Sequence, residues 1–313
     1  LYKRQPPNHT GEPRGQTDSI HRESQRSKSE SYTAVCYLSQ YGFCDRLSQA
    51  IAHGIGKANA QVQLVDLIAS DTQELSALIS DASAVVVPTW PIKADSELQS
   101  NIGTLLASLK QKQWVATYDS YGGNEEPIDF ITNQLRKLGQ REAFKPLRVR
   151  DEPNKSIYQQ FEEAGTDLGQ ILTRKKNLAA TKSLDGDLNK ALGCISGGLY
   201  IVTAKDSEGP DSRDGAMVAS WVSQASFSPP GITIAVAKER AVENLLHTGD
   251  NFALNILEQN NHQSLLKQFL QSFKPGDNRF TDLEINLSPS NQPLLNEALA
   301  WLDGTVSQRM ECG

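Results

Sequence analysis

Hydrophobic and polar positions change rhythm twice along the chain. Residues 1–31 carry almost no large apolar side chains and are rich in Ser, Arg, Gln, Pro and Gly. Such a stretch buries too little surface to offset the entropy of ordering, so the pattern predicts a disordered linker. From residue 33 onward, short β-prone apolar runs alternate with 3.6-periodic segments. The runs are TAVCYL (33–38), QVQLVDL (61–67), ASAVVVP (82–88), QWVATYD (113–119) and FKPLRVRD (144–151). Helical spacing fills the gaps: up to Lys57, then through Leu75, Leu78 and Ile79, then Leu98, Ile102, Leu105, Leu106 and Leu109, then Ile128, Phe130, Ile131 and Leu135, and last residues 156–173. The third run is continuous enough to be buried on both faces. Strand and helix alternating in this way predict a parallel α/β sheet covered on both sides. Right-handed crossovers leave few topologies, and the five-stranded order 2-1-3-4-5 is the common one.

After Arg174-Lys175-Lys176 the helical spacing fades. GGLYIVTA (197–204), AMVASWVSQASF (216–227), GITIAVA (231–237) and NFALNIL (251–257) read as strands. Only short helices intervene, around Val242 to Leu246 and Gln263 to Phe273. Pro229-Pro230-Gly231 cannot lie inside a central strand. The expected organisation is a linker over 1–31, an α/β domain over 32–176 and a mostly β, barrel-like domain over 177–313. The end of the chain, QRMECG, interrupts strand-like sequence, so the second domain is expected to be C-terminally incomplete.

Composition narrows the chemistry. A formal net charge of −6 gives no electrostatic reason to expect nucleic-acid binding. No window holds the roughly 18 consecutive apolar residues that a membrane span needs. Cys36, Cys44, Cys194 and Cys312 form no C-x-x-C pair, which suits reduced thiols in an intracellular compartment. No two of the five histidines sit at i, i+2 or i, i+4, so metal binding has no local support.

In an open parallel sheet, ligands sit beyond the carboxyl ends of the strands. Three loops are predicted there. The first is Ser39-Gln40-Tyr41-Gly42-Phe43-Cys44, where strand turns into helix: its amides offer an anion pocket, Ser39 a hydroxyl and Gly42 a permissive turn. Without a ligand it is an ordinary strand-to-helix turn. The others are Pro88-Thr89-Trp90-Pro91-Ile92 and the loop from Asp119 to Glu125 with Tyr121. A flat aromatic ligand with a phosphate tail fits such an edge, ring between aromatics and phosphate in the turn. In the β-rich half, Ser220, Ser223 and Ser226 recur every third residue, ill-suited to one face of a period-two strand. They suggest an extended edge whose hydroxyls meet a ligand.

The wording YLSQYGFCDRLSQAI, VVPTWPIKAD and YDSYGGNEEPIDF resembles the flavodoxin domain of the flavodiiron proteins of oxygenic phototrophs. The resemblance implies a flavodoxin-like fold and flavin mononucleotide (FMN). Phosphate contacts would come from Ser39, Gln40, Tyr41, Gly42, Phe43 and Cys44. Ring contacts would come from Pro88, Thr89, Trp90, Ser120, Tyr121, Gly122 and Gly123. A general flavodoxin loop ends Gly-Asn-Thr; Gly42-Phe43-Cys44 loses a hydroxyl donor, and Asp45 puts a negative charge at the helix start.

The stretch from Gly215 to Pro230, with Ser226-Phe227-Ser228-Pro229-Pro230, resembles the flavin reductase-like split barrel. That implies a second flavin, with Ser220, Trp221, Val222 and Ser223 at its ring or ribityl chain and Ser226 and Lys238 at its phosphate. It further implies NAD(P)H, or a small electron-donor protein, as the source of electrons, and pairing with a second or related chain. In this family a diiron centre in a separate N-terminal domain reduces dioxygen to water, and the setting is the cytoplasm of a cyanobacterium or the chloroplast stroma. The competing reading is a dimerisation or regulatory module in which one or both flavin sites are lost. A nicotinamide-binding Rossmann domain is disfavoured, since no G-x-G-x-x-G follows the first strand.

Overall fold

The computed structural model describes residues 31–39, 42–89, 96–120, 127–150, 152–183, 197–206, 212–258, 262–271 and 273–311. The expected linker, apart from Ser31, lies outside them, as do Gln40, Tyr41, Trp90, Tyr121, Gly122, Gly123, Cys194 and Cys312.

Strands β1 (Tyr32–Tyr37), β2 (Gln61–Asp66), β3 (Ala84–Pro88) and β4 (Trp114–Ser120) pair in parallel in the order 2-1-3-4, with the fifth position beyond β4. That is the predicted topology. The apolar runs explain the layering: every residue of β3 is buried, and so is the centre of β1 from Thr33 to Cys36. The fifth position departs from expectation. Instead of one strand over 144–151, two short pieces, β5 (Arg141–Glu142) and β6 (Leu147–Val149), each pair with β4. Phe144 turns inward between them and Pro146 has no N–H to give the ladder, so pairing lapses and resumes.

Helices α1 (Cys44–Lys57), α2 (Thr72–Asp81), α3 (Ser96–Ser108), α4 (Pro127–Lys137) and α5 (Lys155–Ser183) form the crossovers and the final helix. Asp71 caps α2 by accepting from the N–H groups of Gln73 and Glu74. Helix α5 runs ten residues past its expected end at 173, and Arg174-Lys175-Lys176 lies within it. No Gly or Pro occurs from residue 170 to 183, so nothing in the chain breaks it there.

Helices α1 and α5 touch backbone to backbone. A Cβ on Gly54 would lie 1.9 Å from the Glu162 carbonyl oxygen, and one on Gly165 would lie 2.1 Å from that of Ile51. Gly169 approaches Ile55 and Ala58 in the same way. The close approach brings buried Ile51, Ile55, Phe161 and Leu168 into one core with the sheet.

The β-rich region has a four-stranded antiparallel sheet in the order β14 (Ala300–Thr305), β11 (Asn251–Ile256), β7 (Tyr200–Lys205), β8 (Asp214–Ala219). Two antiparallel pairs accompany it: β9 (Val222–Phe227) with β10 (Pro230–Ile234), and β12 (Ile285–Leu287) with β13 (Pro293–Leu295). A 3-10 helix (Ala241–Leu245) and helix α6 (Gln263–Leu270) complete it. The single strand expected over 216–227 is broken at Ser220 and Trp221: its first half pairs with β7, its second with β10. Pro230 stands first in β10, as a strand proline must.

The two regions meet across α1 and α5. Lys57, only 10% exposed, bridges Glu162 at 3.0 Å and Glu243 of the 3-10 helix at 2.9 Å, and also donates to Asn244. Arg309 closes on Glu243, and His53 on Glu162. Burial pushes the Glu162 and Glu243 carboxyls up, but the cations and donors around them outweigh it and hold both below the usual range. A second cluster surrounds buried Arg279, which reaches Glu163 of α5 at 2.7 Å and Asp214 of β8 at 4.0 Å.

Candidate functional site

Parallel pairing puts the carboxyl ends of β1, β3 and β4 side by side, so Ser39, Thr89 and Ser120 share one sheet edge. The loop after β1 folds directly onto β4: the Phe43 N–H donates to Ser120 Oγ at 2.8 Å. Gly42 has φ +49°, and a Cβ there would lie 2.6 Å from the Ser120 carbonyl oxygen. The glycine is therefore required twice, by conformation and by space. Beneath it, fully buried Tyr118 donates to the carbonyls of Cys36 at 2.9 Å and Cys44 at 3.3 Å, tying the first turn of α1 to β4.

Cys44 opens α1, but its side chain points into the core and is 2% exposed. Burial pushes its thiol up to about 12, with Asp119 and Asp45 adding to the effect against a Leu38 amide, so the thiol stays neutral and unreactive. The helix start can offer an anion its amides there, not this side chain. Pro88 ends β3 buried. Thr89 is 4% exposed; its N–H is used by the Tyr118 carbonyl at 2.8 Å, while Oγ1 is buried without a hydrogen-bond partner among the described residues.

The serine strand follows a different principle. In the β9–β10 hairpin, Ser223 faces Thr233 and Gln224 faces Ile232, yet Ser226 faces Gly231. Ala225 is the extra residue, a bulge that restores Ser226 to the face of Ser223. Spacing by three, unsuitable for a regular strand, is thus suitable for this one. Ser223 Oγ lies 2.8 Å from Thr233 Oγ1. Ser220 sits at the break before Trp221, and Gly197 is pressed so close that a Cβ there would lie 2.4 Å from the Ser220 carbonyl oxygen. Trp221 is 59% exposed and Phe227 84% exposed, while Val222 packs partly against the small core around Val202 and Leu254. Lys238 lies on the surface, paired with Glu311 at 3.2 Å. Sequence reasoning missed Ala225 and Thr233, although the misfit of three serines to period two was the signal for a bulge.

Among the described residues no group of His, Cys, Asp and Glu could hold a metal ion. No helix among them is long and apolar enough to cross a membrane.

Comparison with known proteins agrees with both halves. The flavodoxin family model matches residues 35–165, and the model of the flavin reductase like domain matches residues 192–313. Diflavin flavoprotein A 1 of Synechocystis sp. is 49% identical over 292 residues, covering 93% of this chain and 50% of that protein. Putative diflavin flavoprotein A 3 of Nostoc sp. is 44% identical over 289 residues, covering 92% of this chain and 50% of that protein. The chain spans about half the length of these curated relatives. Its homologues are diflavin flavoproteins of cyanobacteria, and it matches the flavodoxin and flavin reductase-like domain models.

Proposed function

We propose that this chain is the electron-relaying part of an oxygen-reducing diflavin flavoprotein, drawing electrons from NAD(P)H through FMN toward a diiron centre carried by the remainder of such proteins. The observation that carries the reading is the edge at β1, β3 and β4. It combines a buried Thr89 hydroxyl without a hydrogen-bond partner among the described residues, the exposed turn residue Gly42 and a strand-to-helix start, which together fit a flavin nucleotide. When bound, FMN supplies two-electron exchange with a nicotinamide and one-electron exchange with metal centres.

The chain's own residues do the placing. Ser39, Gly42 and the first turn of α1 would hold the phosphate. Pro88, Thr89 and Ser120 would border the ring. In the β-rich region, the face bearing Ser223 and Ser226 would hold a second FMN beside Ser220, Trp221 and Val222. Lys238 would have to leave Glu311 to reach that phosphate. The second site needs no acid or base, because hydride transfer from a nicotinamide asks for alignment and exclusion of water.

One observation favours the alternative, an interaction module with the first site lost: the Phe43 N–H is already bonded to Ser120 and the Cys44 side chain faces inward. Flavin titration of the full chain decides between them. Quenching of FMN fluorescence with saturation at two equivalents supports the relay, one equivalent leaves a single working site, and none overturns it.

A further inference from the structure

We propose that the seam between the parallel-sheet region and the β-rich region is a releasable latch, and that the two candidate flavin surfaces meet only when it is open. The second half of the proposal rests on the relay reading; the first half does not. Among the described residues the seam shares no apolar core. The core around Val35, Leu47 and Phe161 draws on nothing beyond Leu172, and the two smaller cores around Val202 and Ile201 draw on nothing before Tyr200. Interfaces without a large hydrophobic contact are the ones across which domains move.

Polar groups cross the seam instead. Lys57 reaches Glu243 at 2.9 Å and Asn244 at 3.0 Å. Arg279 reaches Glu163 at 2.7 Å, and the Gly276 N–H donates to the same carboxylate at 3.3 Å. Gln159 donates to the Asp214 carbonyl at 2.8 Å. On release, water replaces each of these partners, and the ions regain the hydration they lost on closing. Opening such a seam costs far less than exposing an apolar face of the same size.

The closed seam keeps the two surfaces apart. Phe161 meets Tyr118 edge-on beneath the first surface, while Gln159 and Glu163, two positions away on either side, meet the β-rich region. Helix α5, about 10 Å across, therefore stands between them. Strand β8 enters the seam at Asp214, and Ser220 follows about 20 Å further along an extended chain. Ser39 and Gly42 at the first surface are exposed, and so are Ser220, Trp221 and Ser223 at the second, so neither surface covers the other. A relay needs the two flavins aligned, one oxidised by two electrons as the other is reduced by two. Release of the latch supplies the freedom for that alignment.

A reversible lock in the full chain tests both halves. A Cβ on Gly276 would lie 3.1 Å from Gln160 Cγ, so Gln160→Cys/Gly276→Cys is within reach of a disulfide across the seam. The reduced form of the same variant is the control, since it carries the same strain at Gly276. Lys57, 10% exposed, reports release through its labelling by an amine reagent, read by mass spectrometry. In the reduced form its labelling should rise about fivefold between about 50 mM and 500 mM salt. In the oxidised form it should be at least about tenfold slower at both salts. Equal labelling of the two forms overturns the latch. With FMN bound, stopped-flow reduction by NADH or NADPH should show a second phase that slows about tenfold on oxidation of the lock. A second phase that is unchanged, or whose rate rises in proportion to chain concentration, overturns the meeting of the surfaces by release. If the chain takes up no flavin, that half falls with the relay reading, and the labelling alone decides the latch.

Discussion

The two candidate flavin surfaces are built in contrasting ways. At the parallel sheet, topology alone brings three strand ends together, and the closing contacts are so tight that Gly42 has no room for a Cβ. At the β9–β10 hairpin, two strands and one bulged residue set the face, and Trp221 and Phe227 stand in water. The first surface depends on the whole domain core, the second on local register. A site of the first kind fails when packing fails; one of the second kind can fail with the fold intact.

The largest expected effect comes from the packing behind the first surface. Gly165→Val would drive a branched side chain into the Ile51 carbonyl, where even a Cβ would sit 2.1 Å away. Relaxation requires α1 and α5 to separate. A loss of about 3 kcal/mol or more is expected in urea unfolding, with the flavodoxin region losing its FMN affinity as well. Unchanged stability would mean that α1 and α5 are not in backbone contact.

Next is the lysine that joins the regions. Lys57→Met leaves Glu162 and Glu243 facing each other without their shared cation. Removing one member of such a buried group costs about 3 kcal/mol. Limited proteolysis should then cut between the regions faster than in the parent, while each region keeps its own flavin. Equal proteolysis would show that Arg309 and His53 suffice.

A matched pair of changes separates the two surfaces directly. Gly42→Ala strains a positive φ and meets Ser120, so FMN affinity at the first site should drop at least about tenfold, at a stability cost of about 1–2 kcal/mol. Deleting Ala225 removes the bulge and returns Ser226 to the face opposite Ser223. The second site should lose flavin by a similar factor, with less than about 1 kcal/mol change in stability because the hairpin is exposed. Each change should leave the other site's titration untouched; cross-effects would show that the surfaces are coupled.

The same contrast explains what could be read from the chain. Buried parallel strands announce themselves as apolar runs, so the order and edge of the first sheet follow from TAVCYL, ASAVVVP and QWVATYD with crossover rules. The fifth strand was misplaced because pairing is decided by what β4 accepts, and Pro146 and Phe144 interrupt an otherwise β-prone run. The break at Ser220 was hidden because no Gly or Pro marks it. The Lys57 cluster was invisible: its members are 105 and 186 residues apart along the chain from Lys57, and nothing local distinguishes them from solvated charges. Cys44 stands among the phosphate contacts that the resemblance implies, but the first turn of α1 turns its side chain inward.

The smallest effect concerns the acid-rich cluster that binds α5 to β8. Asp167 is pushed up to about 6, chiefly by burial and then by the Glu163 carboxylate, against the opposing pull of Arg279. Asp214 is raised as well, by burial against Arg279 and Lys205. Arg279 thus serves Glu163 and Asp214 directly and has little left for Asp167. A raised carboxyl means that the folded chain binds the proton more tightly than the unfolded one. Stability from this group is therefore gained as pH falls through 6 toward the ordinary value of 3.8, and the cost of the ion is fully present above 6. Glu162 and Glu243 have the opposite sign, losing stability only as pH falls through their lowered values, so they do not interfere at mildly acidic pH. Asp167→Asn removes the charge and should raise stability by about 1 kcal/mol near pH 7.5, a shift of about 2–3 °C in Tm. Near pH 5, about midway between the two values, the gain should be about half as large, and it should vanish only below the ordinary value of 3.8. An equal gain at both pH values would assign the benefit to packing and remove charge crowding as the weakness of this contact.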